Sequence, residues 1–269
     1  MDIVAVIIAM LLTGMVGGVI AGLLGVGGGI VVVPVLEILL GIIGVDPSIR
    51  MHIAVGTSLA IIIPTSLSSA RTHYQEKAVL MDVVRCWSPY IVLGATIGAL
   101  VAGRVTAEAL YAVFGLVASC VAIKMILPLD EKVIAAEIPG RIAGALVPAG
   151  IGFISAMMGI GGGSMSVPVM TLCGKPMHQA VGTSALCGAF IALPGSIGFV
   201  YTGWGNVLLP FGSLGYINLV GVALIIPASI AFAPVGARLA HSISRRRLSV
   251  IFGLFLLTVA IRMGWRIFG

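Results

Sequence analysis

Residues 25–34 read GVGGGIVVVP and residues 159–168 read GIGGGSMSVP; residues 51–58 read MHIAVGTS and residues 177–184 read MHQAVGTS. Two blocks repeated in the same order are hard to produce by chance, and self-similarity at this spacing means that the chain is built from two related halves. A third pair closes each half: Phe114-Gly115-Leu116 with Val121 to Met125 is matched by Phe252-Gly253-Leu254 with Val259 to Met263. The repeats therefore take residues 1–130 and 142–269. Residues 131–141, with Glu131, Lys132 and Glu137, form a polar linker between them.

The surroundings of these blocks decide the solvent. Of 269 residues, 59% are hydrophobic and only 9% charged, and the mean hydropathy is +1.20. A soluble domain carries about 25% charged residues, so a water-soluble enzyme is excluded and a lipid bilayer is expected around the chain. The net charge of +6 comes from short breaks between apolar runs. It reads as membrane orientation, not as a nucleic-acid surface. Each half has five apolar runs: Ile3–Leu24, Ile30–Ile43, Ile53–Ala70, Cys86–Ala102 and Leu110–Leu127, then Ile142–Met158, Ser164–Cys173, Ala180–Val200, Ile217–Ala237 and Leu248–Ile267. The amino-terminal run has no Lys or Arg before it and no cleavage signature, so it reads as a retained helix. Cys86, Cys120, Cys173 and Cys187 lie in or beside apolar segments without metal-ligand spacing; no metal or cofactor is expected.

Ser164–Cys173 would be about 15 Å long as a helix, half a membrane, so the triple glycine before it is expected to form a hairpin apex or break. If the glycine segments turn the chain back, the halves are inverted; if they continue one span, the halves are parallel. Basic residues separate the two cases. With a turn, one side receives Arg71, Lys77, Arg85, Lys124, Lys132, Arg141, Lys175, Arg238, Arg245, Arg246 and Arg247, and the other only Arg50, Arg104, Arg262 and Arg266. Without it the split is nearly even. The expected fold is an all-α polytopic membrane protein of two inverted-topology repeats, about five helical segments each, with Gly-rich re-entrant hairpins near the midplane and both termini outside the cytoplasm.

Three consecutive glycines within a membrane helix cost about 1 kcal/mol each against alanine, and unpaired backbone in lipid costs more. Gly27, Gly28 and Gly29 with Gly161, Gly162 and Gly163 would free backbone N–H groups and aim the positive ends of two helices at one place, which suits a small anionic substrate. Their other use is close helix packing, as with Gly14, Gly18 and Gly22. Thr57, Ser58, Thr183 and Ser184 are candidate uncharged donors, although such hydroxyls commonly bond their own backbone one turn back. His52 and His178 open their helices near an interface and are candidates for titration or gating. Glu37, inside VPVLEILLGIIG, is a candidate for proton coupling because a carboxylate in hydrocarbon is costly; its repeat counterpart is Thr171. Arg71 is a candidate gate. Pro34, Pro64, Pro168 and Pro194 are expected to break helices where packing changes.

The duplicated pattern GxGGGxxxVPxL with HxAVGTS, and the later Gly215-Tyr216-Ile217-Asn218-Leu219 and Gly236-Ala237-Arg238-Leu239-Ala240, resembles the TauE/SafE family of sulfite and organosulfonate exporters over nearly the whole chain. The resemblance implies a permease of the bacterial inner membrane. Its cargo would be a small sulfur-containing anion such as sulfite, thiosulfate or sulfoacetate, held at the glycine hairpins and Gly-Thr-Ser helices and moved by alternating access. Competing readings are an anion channel or a non-transporting membrane subunit. An intramembrane protease using Ser184 lacks a partnered base, since His241 lies in an Arg-rich loop.

Overall fold

The computed structural model describes residues 3–24, 28–127, 141–239 and 245–268. Gly27 and linker residues 131–140 lie outside the described residues, while Arg141, assigned above to the linker, opens α6. Each half supplies five helices: α1 (Ile3–Leu24), α2 (Gly29–Ile42), α3 (Pro47–Gln75), α4 (Met81–Ala102) and α5 (Ala107–Ile126), then α6 (Arg141–Met158), α7 (Gly163–Leu172), α8 (Met177–Gly203), α9 (Leu219–Leu239) and α10 (Arg245–Phe268). Five of them, α3, α4, α5, α8 and the Leu219–Gly236 stretch of α9, are long and apolar enough to cross a membrane. The chain is an all-α polytopic membrane protein. At 14 and 10 residues, α2 and α7 are about 21 and 15 Å long, and neither reaches across a 30 Å hydrocarbon core.

Helix pairing runs between the halves. Helix α1 packs along α9, α4 along α6, α5 along α10, and α3 along α8. The directions follow from which residues face one another. In α3 and α8, Gly56 faces Phe199, Leu59 faces Gly195, Ser66 faces Gly188 and His73 faces Gly182, so the two run antiparallel. Helices α5 and α10 are also antiparallel, with Gly115 opposite Met263 and Ala122 opposite Gly253. By contrast α4 and α6 run parallel, with Gly94 against Ala149 and Gly98 against Phe153, and α1 and α9 do the same through Gly14 with Ile225 and Gly18 with Ser229. Two halves of opposite sense generate this set of directions; two parallel halves would make the self-paired helices α3/α8 and α5/α10 parallel.

The apolar runs mark the helices but undershoot their ends. Helix α3 starts at Pro47, six residues before its apolar run, because Asp46 caps it: the Asp46 carboxylate accepts from the Ser48 amide at 2.9 Å and hydroxyl at 2.6 Å. Those bonds hold the Asp46 carboxyl below the usual carboxylate range. Hydropathy reports the part of a helix in lipid, whereas caps set where its hydrogen bonds begin. The second half's fourth run also differs, since Ile217 and Asn218 pair with Ser213 and Leu214 in a two-residue antiparallel hairpin, β1 with β2. Gly215, at φ 55°, opens its turn. The prolines are a further correction. Helices α2, α3, α7 and α8 continue through Pro34, Pro64, Pro168 and Pro194, the tight packing of neighbours holding each helix across the lost bond.

At the α4/α6 contact a side chain at Gly98 would strike the Phe153 carbonyl. Gly98→Val is expected to destabilise the folded protein by about 1–3 kcal/mol, read as a lowered unfolding temperature in detergent, while Val101→Ala on the same helix changes it far less.

Candidate functional site

The glycine turns come first, since they place everything else. Gly28 at φ 72° and Gly162 at φ 74° sit in the left-handed region and cap α2 and α7. A residue with a Cβ pays strain there, which is why both positions are glycine. Each turn feeds its helix directly: Gly28 O accepts from the Val31 amide at 3.0 Å, and Gly162 O accepts from Met165 at 3.0 Å and Ser166 at 2.7 Å. The turns then meet. A Cβ on Gly29 would collide with the Gly159 carbonyl, 2.7 Å from Ile62 Cδ1 and 2.9 Å from Ser58 Oγ. Ile62 and Gly188 lie close to the midpoints of α3 and α8, so this junction is at the centre of the bundle.

The hydroxyls of the repeated Gly-Thr-Ser block are spent mostly across the halves. Thr57 Oγ1 accepts the Asn218 amide at 2.9 Å, and Thr183 Oγ1 accepts the Leu80 amide at 2.9 Å. The preceding glycines make room for the same loops, since a Cβ at Gly56 would press on the Tyr216 carbonyl and one at Gly182 on the Ala78 carbonyl. Each Gly-Thr pair thus clasps the connection that enters the fourth helix of the other half. Ser58 donates to the Gly159 carbonyl at 2.8 Å, closing the second glycine turn, and Ser184 donates back to Val181 O at 2.9 Å within its own helix.

Polar capacity left at the junction lies elsewhere. Ser66 and Ser166 are fully buried, and neither hydroxyl has a hydrogen-bond partner. A Cβ on Gly188 would sit 2.7 Å from Ser66 Oγ and 2.9 Å from Gly161 O, and one on Gly162 would sit 3.6 Å from both Ser155 Oγ and Ser166 Oγ. The start of α7, where Gly163 and Ser164 open the helix with no preceding turn to accept their amides, therefore faces a small group of hydroxyls. Sequence reasoning missed Ser66, Ser155, Ser166 and Gly188. A signal was present: their repeat counterparts are Ala192, Ala21, Val32 and Ile62, so the surroundings of the second glycine turn carry hydroxyls and a glycine, Ser66 coming from the first half, where those of the first turn are apolar.

Comparison with known proteins places the chain in a family. The sequence model described as sulfite exporter TauE/SafE matches residues 10–263. This chain belongs to the TauE/SafE family. It is 37% identical over 257 residues to a probable membrane transporter protein of Haemophilus influenzae, covering 96% of this chain and 97% of the relative. It is 23% identical over 275 residues to the probable membrane transporter protein YunE of Bacillus subtilis, covering 95% and 96% of the two chains. A probable membrane transporter protein of Xylella fastidiosa is 27% identical over 262 residues, covering 93% and 91%. No solved structure matches the chain.

In this TauE/SafE protein the charged candidates stand away from the junction. Glu37 is fully buried near the end of α2, level with the first turns of α3 and α5 and the last turns of α10. Its carboxylate lies 3.8 Å from Arg50, 3.5 Å from Arg262 and 3.4 Å from Arg266, and accepts the Tyr111 hydroxyl at 3.2 Å. It is the shared counter-ion of three arginines. The basic-residue count used those arginines only as orientation markers, and their convergence on one carboxylate was not legible from it. His52 is buried, with Nε2 3.1 Å from Val105 O and its ring centroid 5.0 Å from that of Tyr216. Arg71 and His178 are exposed at helix ends.

Replacing Thr57 or Thr183 by valine keeps the shape and strands a backbone N–H in the protein interior. Each change is expected to cost about 1–3 kcal/mol, and because the two clasps are separate the double variant should lose close to the sum, as measured by thermal unfolding in detergent.

Proposed function

We propose that this membrane transporter is a secondary carrier that exports a small sulfur oxyanion or organosulfonate, the class that includes sulfite, thiosulfate and sulfoacetate. The observation that carries the reading is the pair of buried, unpartnered hydroxyls, Ser66 and Ser166, beside the start of α7 where the two glycine turns touch. A sulfonate or sulfite presents acceptor oxygens only. Hydroxyl donors, with Gly161, Gly162, Gly163 and the amides that open α7, match that requirement, and the helix end adds a partial positive charge. On the first half's side Gly29 and Ser58 shape the contact, Ile62 fills the space, and Thr57, Thr183 and Ser184 hold the frame.

None of the side chains named at this junction is charged. An anion held by dipoles alone is bound firmly enough to shed water and loosely enough to leave. Rocking of one half against the other about the α3/α8 pair would open the junction to alternate sides, the motion that repeats of opposite sense allow. With both termini outside and the cell interior negative, outward movement of an anion gains about 2.3 kcal/mol per charge per 100 mV, so export needs no proton partner. The family's description as sulfite exporters supports this cargo class.

The test is transport by protein reconstituted in liposomes under a set membrane potential, with sulfite, thiosulfate, sulfoacetate, sulfate, chloride and a divalent metal compared side by side. Saturable, voltage-sensitive flux of a sulfur oxyanion or sulfonate is expected. In Ser66→Ala/Ser166→Ala that flux should fall by about tenfold or more, since each hydrogen bond to a charged group is worth about 1.5–3 kcal/mol. Movement of chloride or metal without any sulfur anion, or full flux in the double variant, would overturn the proposal.

A further inference from the structure

The arginine cluster around Glu37 carries more charge than that carboxylate answers. Three guanidiniums meet one carboxylate, and among the described residues no other carboxylate lies within ion-pair distance of them. Arg50 is the inner member: its side chain is 9% exposed and also donates to Val45 O at 2.8 Å. The side chains of Arg262 and Arg266 are each 42% exposed. The positive excess therefore faces outward, on α10.

That face carries a groove of about 520 Å³ lined by Thr258, Ile261, Arg262, Trp265 and Arg266, one stripe of the helix at three- and four-residue spacing. Its rim is apolar and open, with Ile261 63% and Trp265 76% exposed. Helix α10 is apolar from Leu248 to Ala260 and packs along α5, which is long and apolar enough to cross a membrane, so the face that it turns away from α5 meets lipid. Trp265 and Arg266 stand in the last turn of α10, where a helix leaves the hydrocarbon and where tryptophan and arginine settle among headgroups. Thr258 and Ile261 run one to two turns deeper, along the path of an acyl chain.

We propose that this groove binds the headgroup of a single anionic phospholipid, with the phosphate seated between Arg262 and Arg266 and one acyl chain lying along Ile261 and Thr258. A guanidinium pair suits the phosphate in both charge and geometry, because each planar fork can donate two parallel hydrogen bonds to two phosphate oxygens. Glu37 holds the two arginines from behind and leaves their outer donors free. The bilayer is the source that the groove's exposure favours: a soluble anion would have to reach an apolar face across lipid, whereas a phospholipid is already there.

Trp265 reports on its own site. In a Trp204→Phe background the only other tryptophan is Trp87, which is fully buried. The protein is reconstituted in phosphatidylcholine vesicles containing a rising share of either brominated phosphatidylglycerol or brominated phosphatidylcholine, and quenching of Trp265 is compared. Preference for phosphatidylglycerol by about tenfold is expected from two interfacial arginines, falling to near parity in Arg262→Gln/Arg266→Gln and retained in Arg262→Lys/Arg266→Lys. Should the double glutamine variant fail to insert, Arg262→Gln alone is expected to show a preference between those limits. Equal quenching by the two lipids, a preference that survives the glutamine changes, or its abolition by millimolar glycerol phosphate would each overturn the proposal, the last by showing a soluble anion in the groove.

Discussion

Hydrocarbon offers no water to pair with a broken backbone, and this chain breaks two helices at the centre of its membrane bundle. The rest of the structure answers that constraint. The second glycine turn is closed by the Ser58 hydroxyl on the Gly159 carbonyl, and the first turn presses Gly29 against the same carbonyl. The two turns are thus held against each other across the halves, on top of the bonds that each makes to its own helix. The halves are therefore interlocked, with α1 lodged on α9, α6 on α4, and each Gly-Thr pair clasping a connection of its partner. A half expressed alone would leave these groups bare in lipid.

The same arithmetic divides the repeated motif between architecture and chemistry. Its threonines accept amides from the other half's connections and its serines donate to carbonyls, so the most visible polar residues are engaged before any ligand arrives. Among the described residues, the unpaired hydroxyls nearest the junction are Ser66 and Ser166, outside the motif and beside the second glycine turn. A frame built twice carries a candidate site that is built once.

Much of this was legible in the sequence, for physical reasons that can be named. Long apolar runs have one stable form in lipid, so the ten helices of the described residues could be read from hydropathy, and the duplicated glycine block marked both turns. Helix ends were less visible because Asp46 and Pro47 extend α3 through capping, which hydropathy does not sense. The β1/β2 hairpin was hidden inside an apolar run, although Gly215-Tyr216 is a turn signal. The partners of Thr57 and Thr183 lie 161 and 103 residues away, and no periodicity carries such information. Glu37 was visible as a costly residue, but its three arginines come from two other helices, α3 and α10, and only the fold gathers them.

The central claim is that the junction of the two glycine turns is where an anion is held and alternately exposed. The most direct measurement is accessibility of a cysteine placed there, Ser66→Cys or Ser166→Cys, after Cys86, Cys120, Cys173 and Cys187 have been replaced. A small thiol reagent bearing a sulfonate is applied from each side of sealed vesicles, with and without sulfoacetate. The account predicts labelling of both cysteines from either side, slowed by sulfoacetate. Cysteines that insert normally and are never labelled from either side, or whose labelling is indifferent to every sulfur anion tested, would contradict it.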